Sequence, residues 1–300
     1  MNGTLFRLTL FTLFFLVSAR FPVFSQEKKS PPKRKLDYIG ERIQSITPDR
    51  KIIYKKVDDR ELELHLFLPE GWKETDNRPC FHIIHGGGWT GMDPSRMYPF
   101  AVDFVKQHGM VGICVQYRLA KRDKSVTVFD CVKDARSSVR YVRSHAKELG
   151  INPDQIIVSG GSAGGHLAAS TALFDEVNEA GEDTSISCRP DAMLLLFPVI
   201  DTSSEGYGQN KIGDRWKELS PVHHVKSGLP PTITFHGTGD KTTPFKGAKT
   251  FHEKMLEAGN HSELVINEGG AHGYLMRTKP LYDETIARSS AFFIEQGFAE

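Results

Sequence analysis

Residues 80–269 alternate short apolar runs with amphipathic stretches, and this alternation restricts the fold more than any other feature of the chain. "CFHIIHGG" (80–87), "MVGICVQYRL" (110–119), "QIIVSG" (155–160), "AMLLLFPVI" (192–200), "TITFHG" (232–237) and "ELVINEG" (263–269) read as strands. Their near-continuous apolar character marks strands covered on both faces. Between them, residues 98–109 have helical spacing and a glycine stop. Val128, Val132, Ala135, Val139, Val142 and Ala146 recur at threes and fours, which predicts a long helix over 128–150 ended by Gly150. Helical patterns follow at 244–258 and 282–296. Parallel neighbours need a crossover, so this order predicts an α/β fold: a mostly parallel sheet with helices on both faces. "KIIYKKV" (51–57) and "ELELHLFLP" (61–69), separated by "DDR", read as a leading antiparallel hairpin, with Leu62, Leu64, Leu66 and Leu68 facing one way. No internal repeat or second domain is evident, so residues 46–300 read as one domain. The longest stretches without clear pattern are 175–190 and 201–228.

The 38 Lys and Arg residues nearly balance the 37 Asp and Glu, for a net charge of +1. That excludes the basic footprint of a nucleic-acid binder. The N-terminus departs from this balance. "LTLFTLFFLVSA" has the length of a signal-peptide core, and Val23 and Ser25 occupy the −3 and −1 positions before Gln26. Residues 1–25 therefore read as a signal peptide, with an uncleaved anchor as the alternative, and a secreted or periplasmic protein is expected. "QEKKSPPKRK" opens an exposed linker over 26–45. Export would permit two disulfides among Cys80, Cys114, Cys131 and Cys188, but Cys80, Cys114 and Cys131 fall in buried-strand or helical patterns that suit small apolar thiols, so the sequence leaves the pairing open. No Cys/His spacing suggests zinc, so neither metal nor cofactor is expected.

In such a sheet, ligands bind beyond the carboxyl ends of the strands. Three strand ends carry chemistry. Gly160-Gly161-Ser162-Ala163-Gly164 fits G-x-S-x-G, after a strand and at the opening of a helical pattern. A nucleophile elbow needs that context, so that the serine hydroxyl stands clear of the sheet. "HGGGW" (85–89) follows another strand, where consecutive glycines can turn N–H groups toward a developing negative charge. "HGTGD" places Asp240 beyond a strand, and "GGAHGY" places His272 beyond the next. A serine needs a base, and the base needs an orienting carboxylate, in this chain order for this fold. Asp201, one strand earlier, is the rival acid. Of the twelve histidines, His65, His82 and His236 lie within strand runs. His223 and His224 read as loop residues, and His166 as a residue that lines the site without being the base.

"HGGGW", "GGSAGG", "HGTGD" and "GGAHGY", in that order, resemble the α/β-hydrolase fold, more narrowly its hormone-sensitive-lipase-like branch with its bacterial esterase and acetyl-esterase relatives. "YRL" (117–119) and residues 142–169 are similar to the same branch, and the resemblance covers roughly residues 45–298. It implies Ser162 as nucleophile, Asp240 and His272 as its triad partners, N–H donors from Gly87, Gly88 and Ala163, and His85 bracing the glycine loop. Many relatives carry an N-terminal helical cap. Here only the signal and a short linker precede the hairpin, which implies a small or absent cap and an open site.

The expected activity is serine carboxylesterase, with short-chain acyl esters as substrates and acetylated or feruloylated carbohydrate as candidates. An amide hydrolase of the same fold, formamidase- or peptidase-like, and a non-catalytic binding protein are the alternatives. The expected partner is a small-molecule or carbohydrate ester, with no nucleic acid and no stable membrane insertion after signal removal.

Overall fold

The computed structural model describes residues 37–121 and 124–299. Residues 1–25, which read as a signal peptide, and the first part of the expected linker lie outside the described residues. The exposed linker expected over 26–45 ends earlier than its composition suggests. Helix α1 (Tyr38–Ile43) is capped by the Asp37 side chain. Its Ile39 is fully buried against the core. One buried isoleucine among charged neighbours is too weak a periodic signal to mark a six-residue helix.

The chain continues through β1 (Arg50–Val57), β2 (Arg60–Phe67), β3 (Arg78–Ile84), α2 (Tyr98–His108), β4 (Val111–Val115), α3 (Val128–Ser144), β5 (Ile151–Gly161) and α4 (Ala163–Leu173). It ends through β6 (Ala192–Leu196), α5 (Gln209–Ile212), β7 (Thr232–Gly237), α6 (Phe245–Glu257), β8 (Ser262–Asn267) and α7 (Lys279–Glu295). Among the described residues these strands form one sheet in the order β1-β2-β4-β3-β5-β6-β7-β8. The hairpin β1–β2 is antiparallel and joins β4 antiparallel. All other neighbours are parallel.

Alternate residues of each strand supply opposite cores. Ile156, Val158, Met193 and Leu195 pack with α3, α4 and α6 residues such as Val132, Val139, Leu167 and Phe251. Ile157, Leu194 and Leu196 pack with Phe100 and Phe104 of α2 and with Phe292 and Phe293 of α7. Leu62, Leu64 and Leu66 share one face, as their alternation predicts. Cys80, Cys114, Cys131 and Cys188 are all free and buried.

Helix α3 stops at Ser144, six residues before the expected Gly150. The Trp72 indole N–H donates to the Leu149 carbonyl (3.1 Å), and Gly150 turns in the left-handed region (φ +63°) against Trp72 and Lys73. This tertiary contact, invisible to local periodicity, bends the chain early into β5. Because the parallel strands share a direction, the loops after β3, β5, β7 and β8 gather along one edge of the sheet.

Candidate active site

Ser162 stands alone between the end of β5 and the start of α4, with φ 57° and ψ −120°. A residue with a Cβ rarely occupies this region, so the turn must be over-determined by its surroundings. Ser162 N–H donates to Leu196 O (2.9 Å), and its carbonyl accepts from the N–H groups of His166 and Val199 (both 3.1 Å). The neighbouring glycines are required by close approach. A Cβ on Gly160 would lie 2.2 Å from Gly164 O, and one on Gly164 only 2.1 Å from Ile84 O. The elbow thus wedges its own backbone against the end of β3, and Ser162 remains 9% exposed.

His272 reaches this serine from the turn after β8. Its Nε2 lies 2.9 Å from Ser162 Oγ, and its Nδ1 lies 2.7 Å from Asp240 Oδ2. Asp240 is held by its own turn. Thr242 N–H and Thr243 N–H donate to Oδ1 (2.8 and 2.9 Å), and the Thr243 hydroxyl donates to Oδ2 (2.9 Å). Burial opposes the Asp240 charge, but the His272 and Thr243 hydrogen bonds outweigh it and hold the pKa below the ordinary carboxylate value. An ionised carboxylate can only accept, so the proton sits on His272 Nδ1 and Nε2 is left to accept from the serine. The Phe197 ring meets His272 edge-on at 5.0 Å and limits its rotation. This arrangement can move a proton from Ser162 Oγ to His272 Nε2 while Asp240 steadies the imidazolium that forms.

Facing the elbow is the glycine loop after β3. Gly87 (φ +101°) and Gly88 (φ +60°) take conformations that glycine adopts without strain. Ala163 opens α4, where a backbone N–H has no intrahelical partner. None of these three N–H groups donates to a backbone carbonyl among the described residues. The Gly86 carbonyl, by contrast, is doubly engaged. Tyr117 Oη donates to it and to His85 O (both 3.1 Å), and His85 Nδ1 donates at 2.9 Å. Tyr117 is 2% exposed and its ring stacks on His85 at 4.3 Å. Burial pushes the His85 pKa down to about 4, so the brace is a neutral imidazole at neutral pH.

The rival acid and the other histidines lie elsewhere. Asp201 Oδ1 accepts from Ser203 N–H (2.8 Å) within its own turn, and the partner His272 finds is Asp240. His166 is fully buried behind the glycine loop. Its Nε2 meets Leu219 O at 2.7 Å and its ring lies edge-on to Trp89 at 5.1 Å. His236 donates to Thr243 O (2.8 Å) beneath Asp240. Residue-type reasoning passed over Thr243, Phe197 and Tyr117. Thr243 had a signal, since in Asp240-Lys241-Thr242-Thr243 an aspartate can accept from the N–H groups two and three residues on. Tyr117 opens "YRL", a stretch that carries the family resemblance, but nothing there pointed to its bond with Gly86, and Phe197 had no signal.

The family model described as BD-FAE matches residues 64–202. An AB hydrolase superfamily protein of Schizosaccharomyces pombe is 38% identical over 237 residues, covering 69% of this chain and 66% of that protein. The acetylxylan esterase of Xylanibacter ruminicola is 26% identical over 241 residues, 75% of this chain and 46% of its own length. This chain spans about half the length of several such curated relatives. Thermogutta terrifontis esterase 2 matches over nearly its whole length. Its apo structure has a TM-score of 0.79 and 41% identity, covering 84% of this chain and 96% of that one. The same esterase has been solved propionate-bound, butyrate-bound and phosphorylated by paraoxon. The chain belongs to the α/β-hydrolase superfamily, and within it to an esterase-like family.

Proposed function

We propose that this protein is a serine carboxylesterase that hydrolyses short-chain acyl esters, with carbohydrate acetates as a natural substrate class. The observation that carries the reading is the continuous hydrogen-bond chain from Ser162 Oγ through His272 to Asp240. In the first half-reaction, Ser162 Oγ attacks the ester carbonyl carbon and its proton passes to His272 Nε2. The carbonyl oxygen becomes an oxyanion, received by the N–H groups of Gly87, Gly88 and Ala163. The carbon–alcohol bond then breaks, and His272 returns its proton to the departing alcohol. Water repeats the sequence on the acyl-serine, with His272 as base, and frees the acid and the serine.

The short acyl preference is supported by what surrounds the site. Helix α1 packs with α2 on the opposite core, and the segment beside the glycine loop holds no described helix longer than the four residues of α5 and of the 3-10 turn Trp216–Leu219. A long acyl chain gains binding energy only where walls bury it. The propionate- and butyrate-bound forms of the Thermogutta esterase support the same size range. Acetylated carbohydrate is supported by the acetylxylan esterase relative. Export is inferred from the signal-like residues 1–25, and N-terminal sequencing of protein recovered outside the cytoplasm should then start at Gln26.

The direct test uses p-nitrophenyl esters. Ser162→Ala should lower kcat on the acetate by about 10⁶. Paraoxon should add one diethylphosphoryl group to the wild type and none to the variant. A folded variant that keeps a tenth of wild-type turnover removes Ser162 from the mechanism. Across chain lengths of two to twelve carbons, kcat/KM should peak at four or fewer. A peak at eight or beyond overturns the open-site reading.

A further inference from the structure

Helix α5 leans on the glycine loop. A side chain at Gly88 would meet Tyr207 Oη at 2.6 Å and Lys211 Nζ at 2.9 Å. These two groups therefore cover the Cα of a residue whose N–H is proposed to receive the oxyanion. Lys211 Nζ donates to Tyr207 Oη at 2.7 Å and to the Gly88 carbonyl at 3.2 Å. It also lies 4.7 Å from the Tyr207 ring centre and 5.9 Å from that of Trp89. Gly208 (φ +102°) allows the approach, since a Cβ there would sit 2.6 Å from the Trp89 ring. A surface lysine is ordinarily a mobile point charge. Here two hydrogen bonds and two aromatic faces hold it against the oxyanion loop.

The held ammonium has no carboxylate counter-ion among the described residues. Among the described residues its hydrogen-bond acceptors are both neutral, and two of its three N–H groups are used. Carboxylates on nearby strand-end loops have partners of their own, Asp240 with His272, Asp201 with Ser203 N–H, Glu205 with Lys246 and Glu218 with Arg215, and the exposed Asp214, three residues after Lys211, forms no ion pair with it. On the loop that carries His272, Arg277 likewise donates to a neutral acceptor, the His272 carbonyl (3.1 Å). The two loops that bear the oxyanion donors and the base thus each hold a cation without a carboxylate partner among the described residues, in a chain whose net charge is only +1. Such an arrangement favours a negatively charged substrate group at the site.

We propose that Lys211, together with the Tyr207 hydroxyl, is a recognition subsite for a carboxylate on the alcohol portion of the ester. This rests on the short-chain esterase reading. An acetyl-sized acyl group has no room for a second charge, so the carboxylate belongs to the alcohol. The substrate class is then acyl esters of acidic alcohols, such as acetylated saccharides that bear uronic acid groups. Tyr207 and Lys211 act on specificity, and no bond is made or broken at either.

The test compares 3-carboxyphenyl acetate with 3-carbamoylphenyl acetate, which differ in charge while keeping the scissile ester and the position of the substituent. The wild type should favour the carboxylate by about tenfold in kcat/KM at low ionic strength, as one partly screened charge pair allows. In about 1 M salt, where screening acts within ~3 Å, the preference should shrink toward parity. Lys211→Met should abolish the preference and Lys211→Arg should keep it. A wild-type ratio within twofold of parity overturns the proposal. So does a Lys211→Met variant that lowers both esters equally, because Lys211 would then serve only the glycine loop. If neither acetate is hydrolysed, the esterase reading itself fails; turnover of the neutral ester without charge preference sinks only the subsite.

Discussion

Asp240 and Asp201 both follow strands, and the difference between them is one of turn geometry. The Asp240 carboxylate is gripped by Thr242 and Thr243 and presents Oδ2 to His272, whereas Asp201 closes its own turn on Ser203. Asp240→Asn should therefore lower kcat by about 10⁴, because an amide there favours the wrong imidazole tautomer, and Asp201→Asn should cost far less. The reverse ranking in p-nitrophenyl acetate kinetics would move the acid to the loop after β6. Tyr117 acts one bond further out. Its hydroxyl donates to the Gly86 carbonyl, and the same peptide unit ends in the Gly87 N–H. Tyr117→Phe removes that bond, whose net value is about 1 kcal/mol, so kcat should fall roughly three- to tenfold with KM nearly unchanged. A loss carried by KM, or by a lowered thermal midpoint, would assign Tyr117 to packing alone.

At the scale of elements, the β5–α4 junction is the most tightly specified part of the fold. Gly164 lies against the carbonyl oxygens of Ile84 and His85 at the end of β3, so elbow and glycine loop position each other. Gly164→Ala should destabilise the protein by about 3 kcal/mol or more, since the clash is with backbone and cannot be relieved by a rotamer change. Gly91→Ala, where an added Cβ meets nothing within 4 Å and φ is not positive, should stay within about 0.5 kcal/mol of wild type. Urea midpoints of the two variants decide the matter. If they match, the elbow is more plastic than its contacts indicate. Element type was readable from apolar periodicity. Element ends were not: α3 stops at Ser144, ahead of the turn that Trp72 holds at Leu149, and α1 forms where Asp37 caps it.

At the scale of the whole molecule, acid stability is linked to buried imidazoles. Burial pushes the pKa of His82 down to about 3, and those of His85 and His166 down to about 4. In the unfolded chain each returns to about 6.5. The unfolded state therefore binds more protons once the pH drops below that value. The stability due to the neutral rings is complete above pH ~6.5 and is lost as the pH falls toward the folded pKa values, at roughly 1.4 kcal/mol per pH unit for each ring. Urea midpoints measured from pH 8 to pH 4.5 should fall most steeply below pH ~6.5. A flat profile across that window would show that these rings are solvated or already charged in the native state.

The sequence by itself determined the class of fold and the strand ends at which chemistry could sit. Buried strands need apolar runs, crossovers need amphipathic helices, and a strained serine turn needs glycines beside it, so each leaves a local trace. Only the tertiary structure decided which of those strand-end groups meet. Ser162 and His272 are 110 residues apart, and their contact depends on β5 and β8 sharing a direction within one sheet. The choice of Asp240 over Asp201, the brace of Tyr117 on Gly86 and the seating of Lys211 on Gly88 arise in the same way. Each is a contact between segments distant in the chain. A side chain's direction across such a gap is set by packing, which no run of neighbouring residues encodes.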